Sequence, residues 1–232
     1  MKHLLPFFLL AAFFSNGLAQ FVDVGAQLGL SAYQGDLSPR EEITSVSAPS
    51  LAAGVFGRVG LVEGITARLQ VSRLKIVGDD AEADDFFRQQ RNLSFRSTIH
   101  EIALAFEFYP LSGLNYGIWR NFQPYIWGGG ALYFHNPQAE LEGEWYDLHP
   151  LNTEGQGTSW TEQPEPYELN DFSIPFGLGF VVFLDNNINI GLDFGLRATF
   201  TDYLDDVSTV YADPTILADE VGALSAQLAN RT

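Results

Sequence analysis

The chain has 232 residues, with 29 Asp and Glu against 12 Lys and Arg, a formal charge of −17 and no Cys. Such an acidic balance repels nucleic acid and anionic lipid phosphate, and without Cys no disulfide holds the fold. Hydrophobic residues make up 46%, yet beyond the N-terminal segment no apolar run approaches the roughly 18 residues of a membrane helix.

The first 20 residues, "MKHLLPFFLLAAFFSNGLAQ", place Lys2 before an apolar run over residues 4–14, followed by Gly17-Leu18-Ala19. A basic start, a short apolar core and small residues before a cut are the marks of a secretory signal. Cleavage is expected after Ala19. The apolar run is too short for a spanning helix, and no Cys is present to carry a lipid. Residues 1–19 therefore read as a signal peptide and residues 20–232 as one domain, whose formal charge is −18 once Lys2 is lost.

From residue 21 onward the apolar residues recur with period two. Residues 21–33 set Val22, Val24, Ala26, Leu28 and Leu30 against Asp23, Gly25, Gln27, Gly29 and Ser31. Residues 51–62 set Val55, Gly57, Val59 and Leu61 against Gly54, Phe56, Arg58 and Gly60. After Glu63-Gly64, residues 65–77 set Ile65, Ala67, Leu69 and Val71 against Thr66, Arg68, Gln70 and Ser72. Residues 99–109 set Ile102, Leu104, Phe106 and Phe108 against Glu101, Ala103, Ala105 and Glu107. Residues 124–134 also read as a strand, but Gly128-Gly129-Gly130 leaves its facing ambiguous. Residues 172–184 gather Phe172, Ile174, Phe176, Leu178, Phe180 and Val182 on one side. Residues 187–200 oppose Ile188, Ile190, Leu192, Phe194 and Leu196 to Asn189, Gly191, Asp193, Gly195 and Arg197. Successive strand side chains point to opposite faces, so these are seven two-faced strands.

The connections alternate in length. Glu63-Gly64 and residues 185–187 are tight turns, residues 112–121 are of medium length, and residues 34–50, 78–92 and 136–170 are long. That is an up-and-down antiparallel meander with two unlike ends. A soluble barrel would put charge outward, but only Lys75 remains as a lysine after signal cleavage, and the polar faces are Gly, Ala and Ser with isolated charges. Lipid outside and a filled polar interior fit better. A charge on the lipid face costs about 2–4 kcal/mol at the midplane. The expected fold is thus an all-β transmembrane barrel with long loops outside and short turns in the periplasm.

The inward charges Asp23, Arg58, Arg68, Glu101, Glu107, Asp193 and Arg197 nearly balance and are expected to form a lumen network that leaves no open channel. Arg73 and Lys75 fall on the lipid-facing parity; either they lie beyond the membrane or a bulge near Ser72 shifts the register. A closed barrel with both ends in the periplasm needs an even number of strands. The stretch after Tyr211 does not read as a strand, so an eighth is expected to be missing from this chain.

Four segments carry a resemblance: "SAYQGDLSP" (31–39), "RNLSFRS" (91–97), "WYDLHPLNTEGQG" (145–157) and "FTDYLDDVSTVY" (200–211). Together they resemble outer-membrane β-barrel proteins related to PorG of the type IX secretion system. The resemblance implies an eight-stranded barrel in the cell outer membrane, and partners among the periplasmic ring proteins of that system. The family's usual final strand is absent after Arg231.

Other clusters have plainer readings. The carboxylates of residues 78–87 lack the spacing of a calcium loop and read as solvated. Asp202, Asp205 and Asp206 read as a partner patch or as loop-ordering groups. His135, Asp147, His149, Glu154 and Ser159 share one region without a nucleophile elbow or metal spacing, so no catalytic residue is assigned. The triple glycine lacks the Lys and the helix of a phosphate loop. No metal or cofactor is expected. The leading expectation is a non-enzymatic anchor docking partners through Leu114, Tyr116 and Trp119 on its longest periplasmic connection. The alternatives are a surface-facing barrel binding through its acidic outer loops and, last, a rim enzyme.

Overall fold

A computed structural model describes residues 21–38, 47–114, 117–160, 166–185, 188–208 and 212–229. Residues 1–19, the expected signal segment, and Tyr116 lie outside the described residues, as does the side chain of Trp119. Nine strands follow in order: β1 (Val22–Ser31), β2 (Ser50–Val62), β3 (Ile65–Asp79), β4 (Ser94–Phe108), β5 (Phe122–Phe134), β6 (Pro137–Leu141), β7 (Glu144–Asp147), β8 (Asn170–Asp185) and β9 (Ile188–Thr199). Three short helices are α1 (Phe86–Arg91), α2 (Pro214–Glu220) and α3 (Ala223–Ala229). No described helix is long and apolar enough to cross a membrane.

The seven long strands pair in the order β1-β2-β3-β4-β5-β8-β9, every pair antiparallel. This is the up-and-down all-β meander that the period-two pattern implies. The sheet is strongly curled, because side chains of strands that are not neighbours in it meet across its concave side. Arg68 of β3 reaches Asp193 of β9 at 2.9 Å, and Arg197 of β9 reaches Glu101 of β4 at 2.7 Å. Asn189 of β9 donates to Asp23 of β1 at 3.1 Å. Backbone pairing between β1 and β9 is nonetheless absent among the described residues.

The tight β2–β3 turn works because Gly64 takes φ +78°, a left-handed conformation in which other residues are strained. The turn end of the sheet also holds Phe21 and the β4–β5 connection. The opposite end carries every long connection.

The convex face is covered with exposed large apolar residues from all seven long strands; Leu28 is 90% exposed. The concave face holds buried charges and amides. Toward the loop end the two faces exchange character. Inward positions become apolar, and Tyr33, Leu37, Leu74, Ile76, Leu93, Phe95, Ile99 and Tyr133 form a core. On β3 and β4 the outward positions become polar, as at Arg73, Lys75, Thr98 and His100, while Leu30, Leu51, Phe134 and Phe172 stay apolar and exposed at the loop ends of the other strands. The β3 register runs unbroken against β2 from Ala67 to Leu74 and against β4 from Ile65 to Asp79. The bulge considered near Ser72 is therefore not there. Arg73 and Lys75 point outward because the faces change polarity, not because the register does.

One further element corrects the reading of the long loops, while the stretch after Tyr211 is, as its sequence reads, not a strand. Residues 136–170 contain the β6–β7 hairpin, which extends the sheet beside β4 through Arg96↔Gln138 and Ser97↔Pro137. The segment after Tyr211 forms α2 and α3. Leu228 of α3 packs with Ala139 and Leu148, and Ser225 Oγ donates to Leu151 O, so this pair closes over the hairpin at the loop end.

Candidate functional site: the concave charge network and the loop cap

Strand periodicity puts all seven expected lumen charges on the concave face, and ion pairs join them in two groups. Glu107, fully buried at the turn-end half of β4, accepts from Arg58 Nε at 3.0 Å and lies 3.0 Å from the Arg68 guanidinium. Arg58 also faces Asp23 at 3.5 Å, and Arg68 faces Asp193 at 2.9 Å. Higher in the sheet, Arg197 forks onto Glu101 with bonds of 2.7 and 2.9 Å, and Ser72 Oγ donates to the same carboxylate at 3.1 Å. A planar guanidinium meeting a carboxylate by two parallel bonds is the strong, oriented form of this contact.

Aromatic residues complete the network, and the sequence reading did not assign them to it. Tyr109 donates to Glu107 at 2.7 Å and Tyr125 to Asp193 at 2.8 Å. The Arg68 guanidinium lies 4.5 Å from the Trp127 ring centre. Trp127 itself crosses the concave side: a Cβ on Gly195 would sit 2.5 Å from its Cζ2. Glycine on β9 thus makes room for the indole. The parity of β5 was hidden by Gly128-Gly129-Gly130, and Tyr125, Trp127 and Tyr133 are its inward residues. Gly129 serves close packing rather than phosphate, since a Cβ there would meet Leu104 O at 2.0 Å.

Below this network, at the turn end, a cavity of about 370 Å³ is lined by Phe21, Asp23, Arg58, Tyr109, Gln123 and Phe183 among others. Leu114 is half-buried on the adjoining β4–β5 connection.

At the loop end, carboxylates organise the cap. Asp205 accepts from Tyr33 OH at 2.5 Å, and Asp206 accepts from Tyr167 OH at 2.5 Å and from Thr153 Oγ1. Both are buried, and burial is the largest cause raising each carboxyl to about 7. Burial likewise pushes the Tyr33 and Tyr167 hydroxyls far up, so both stay protonated donors. Glu154 accepts from Ser208 N at 2.7 Å, and Asp202 accepts from Ser208 Oγ at 3.1 Å. A cavity of about 280 Å³ borders Asp36, Arg91, Glu154, Asp205 and Asp206.

The acidic run 78–87 is also used internally. Asp79 and Asp85 cap helical turns by accepting from Ala81 N and Phe87 N, each at 2.9 Å. Asp80 is buried between Arg91 at 2.6 Å and Arg88 at 3.4 Å. Among the described residues no group of three or more acidic, His or Cys side chains is placed to hold a metal. The catalytic candidates are not assembled. His149 Nε2 sits 2.8 Å from Tyr167 O, Ser159 bonds Glu220, and Asp147 accepts from Asn136 and Gln138. His135 is buried among Tyr133 and Tyr167, and burial lowers its pKa.

Against known proteins, residues 2–214 match the family model described as Domain of unknown function (DUF6089). The chain belongs to that family. Comparison with curated proteins and with solved structures finds no match.

Proposed function

We propose that this chain is an integral β-barrel protein of the outer membrane, without catalytic activity, that anchors a periplasmic assembly. The observation that carries the reading is the inverted distribution of polarity. Large apolar side chains cover the convex face while Arg58, Arg68, Glu101 and Glu107 are buried on the concave one, with the Arg197 and Asp193 side chains half-buried beside them. A water-soluble sheet would reverse the two. Strands of 10 to 16 residues meet the length that a tilted transmembrane strand requires. The long connections then face outside and the short turns the periplasm. Filling of the concave side by Trp127, Tyr125 and the ion pairs argues for an anchor rather than a pore.

The resemblance to PorG relatives supplies the finer reading, an accessory role in type IX secretion through periplasmic ring proteins. The docking residues are then Leu114, Tyr116 and Trp119 on the periplasmic connection between β4 and β5. The test is recovery of a tagged, full-gene protein from the outer membrane in mild detergent, with mass spectrometry of what accompanies it. Ring components are expected with the unaltered protein and are expected to be lost when those three residues are replaced by Ala. A barrel recovered without partners would remove the secretion role and leave the membrane placement standing.

A further inference from the structure

The chain is acidic, but its few cations are not spread evenly. Arg58, Arg68 and Arg197 are paired with carboxylates on the concave side, and Arg88 and Arg91 share Asp80. Among the described residues, the Lys and Arg side chains without an ion pair are Arg73, Lys75 and Arg96. All three lie on the outward face of one strand pair. The β3–β4 register sets Arg73 opposite His100, Lys75 opposite Thr98 and Val77 opposite Arg96. Outward positions two residues apart on a strand lie about 7 Å apart. The four basic residues therefore form a ladder about 14 Å tall.

The height of this ladder is set by the same register. One outward step toward the turn end from Arg73 and His100 comes Val71 opposite Ile102, both exposed and apolar, then Leu69 opposite Leu104 and Ala67 opposite Phe106. On this strand pair the ladder thus starts where the apolar residues stop, while on the adjoining strand the exposed Phe134 stands opposite His100. It stands at the loop end only. At the turn end the belt runs out at Phe108, opposite Ile65, beside the Glu63-Gly64 turn. Arg73, Lys75 and His100 are exposed and make no side-chain hydrogen bond or ion pair among the described residues. Arg96 is held ready, its guanidinium 3.5 Å from the Trp145 ring centre and its Nε donating to Gln138 at 3.0 Å, which leaves its outer nitrogens free to bind.

We propose that the outward face formed by Arg73, Lys75, Arg96 and His100 binds the phosphate groups of a phosphorylated membrane lipid in the leaflet at the loop end. The inference rests on the membrane reading above. Cations at the edge of an apolar belt meet headgroups whose acyl chains lie along Val71, Ile102 and Leu104. Guanidinium and ammonium groups are the side chains suited to phosphate oxygens. The overall charge repels anionic surfaces at long range, but the interaction is decided within a Debye length, about 8 Å at physiological salt. At that range the headgroups meet the ladder itself, with one carboxylate, Asp147, standing beside Arg96 through Gln138.

The test uses the full chain in detergent micelles, titrated with lipid A (a glucosamine lipid carrying two phosphates) and with the same lipid enzymatically dephosphorylated. Bound lipid is counted by native mass spectrometry. The unaltered protein is expected to hold the phosphorylated form on the order of tenfold or more tighter than the dephosphorylated form. The variant R73Q/K75Q/R96Q is expected to lose that preference. Equal retention of the two lipids by the unaltered protein overturns the proposal without reference to any variant. So does an undiminished preference in a variant that still folds. Flotation with neutral phosphatidylcholine vesicles, followed by alkaline carbonate extraction, is run in parallel. If the protein stays with these vesicles but shows no phosphate preference, this inference alone fails. If it does not stay with them, the membrane reading fails and this inference falls with it.

Discussion

At the scale of single residues, the concave network hangs on Glu107. It is fully buried and serves two guanidiniums and the Tyr109 hydroxyl. Taking two ions out of water is costly, and removing one partner leaves the other uncompensated, a loss of about 3–5 kcal/mol. Glu107→Ala strands Arg58 and Arg68 together on a face whose remaining acids, Asp23 and Asp193, are partly exposed. Its unfolding midpoint, followed by circular dichroism in micelles, is expected to fall well below that of the unaltered protein. Val24→Ala, on the exposed convex side, is expected to change stability by less than about 0.5 kcal/mol and so to leave the midpoint nearly unmoved. Equal midpoints for the two variants would mean that the network does not hold the sheet in its curl.

At the scale of elements, the loop between β9 and α2 is held by two carboxyls that burial raises to about 7. An Asp carboxyl at its ordinary 3.8 in the unfolded chain and about 7 in the folded one binds its proton more tightly when folded. The contribution to stability is full below about 4, falls as pH rises toward 7, and is flat above. The groups facing them are Tyr33 and Asp36 at Asp205, and Tyr167, Thr153 and Glu154 at Asp206; the two acids add to the penalty for ionisation. Hydrogen exchange of residues 200–208 is therefore expected to speed up between pH 4 and pH 7, beyond the intrinsic pH effect. Asp205→Asn with Asp206→Asn should flatten that dependence. A flat profile in the unaltered protein would show that the carboxyls are not what orders this loop.

Elements also differ in how much of them the sequence makes legible. Strands with one apolar and one small or charged face declare both their existence and their facing, because a side-chain period of two admits a single register. From β1, β2, β3, β4 and β9 the charges Asp23, Arg58, Arg68, Glu101, Glu107, Asp193 and Arg197 could be placed together before any coordinates. In β5 three consecutive glycines erase the alternation, so the inward Tyr125 and Trp127 stayed hidden. The β6–β7 hairpin is hard to read from the sequence because its strands are only five and four residues long. Its turn has the same Glu-Gly pair as Glu63-Gly64, which is the available signal, although here Glu142 at φ +53° is left-handed as well as Gly143 at φ +87°. Arg73 and Lys75 seemed to break the pattern because the sequence does not show where along a strand the interior turns from polar to apolar. Leu74 and Ile76, one residue away from them, mark that level.

At the scale of the whole molecule, the two outer strands set the sharpest condition on the membrane reading. β1 and β9 each leave a row of backbone N–H and C=O groups without a ladder partner among the described residues. In hydrocarbon every such group costs several kcal/mol, so an open edge cannot face lipid. The membrane reading therefore requires both edges to meet a strand, either within one barrel or across two copies. The bond from Asn189 to Asp23 favours the first, since it already draws the turn ends of β9 and β1 together within one chain. Val24→Cys with Ile190→Cys puts one thiol on the outward side of each edge, a residue beyond that bond. Neighbouring strands are about 4.8 Å apart, so one intervening strand leaves the edges roughly 10 Å apart. A thiol cross-linker of that reach, applied to protein in membranes, is expected to give a linked monomer of altered electrophoretic mobility. Linked dimers instead would mean that β1 of one copy pairs with β9 of another, and the barrel would then be an assembly rather than a single chain. No linkage of either kind would leave both edges unsatisfied in lipid, and the transmembrane reading would have to be given up.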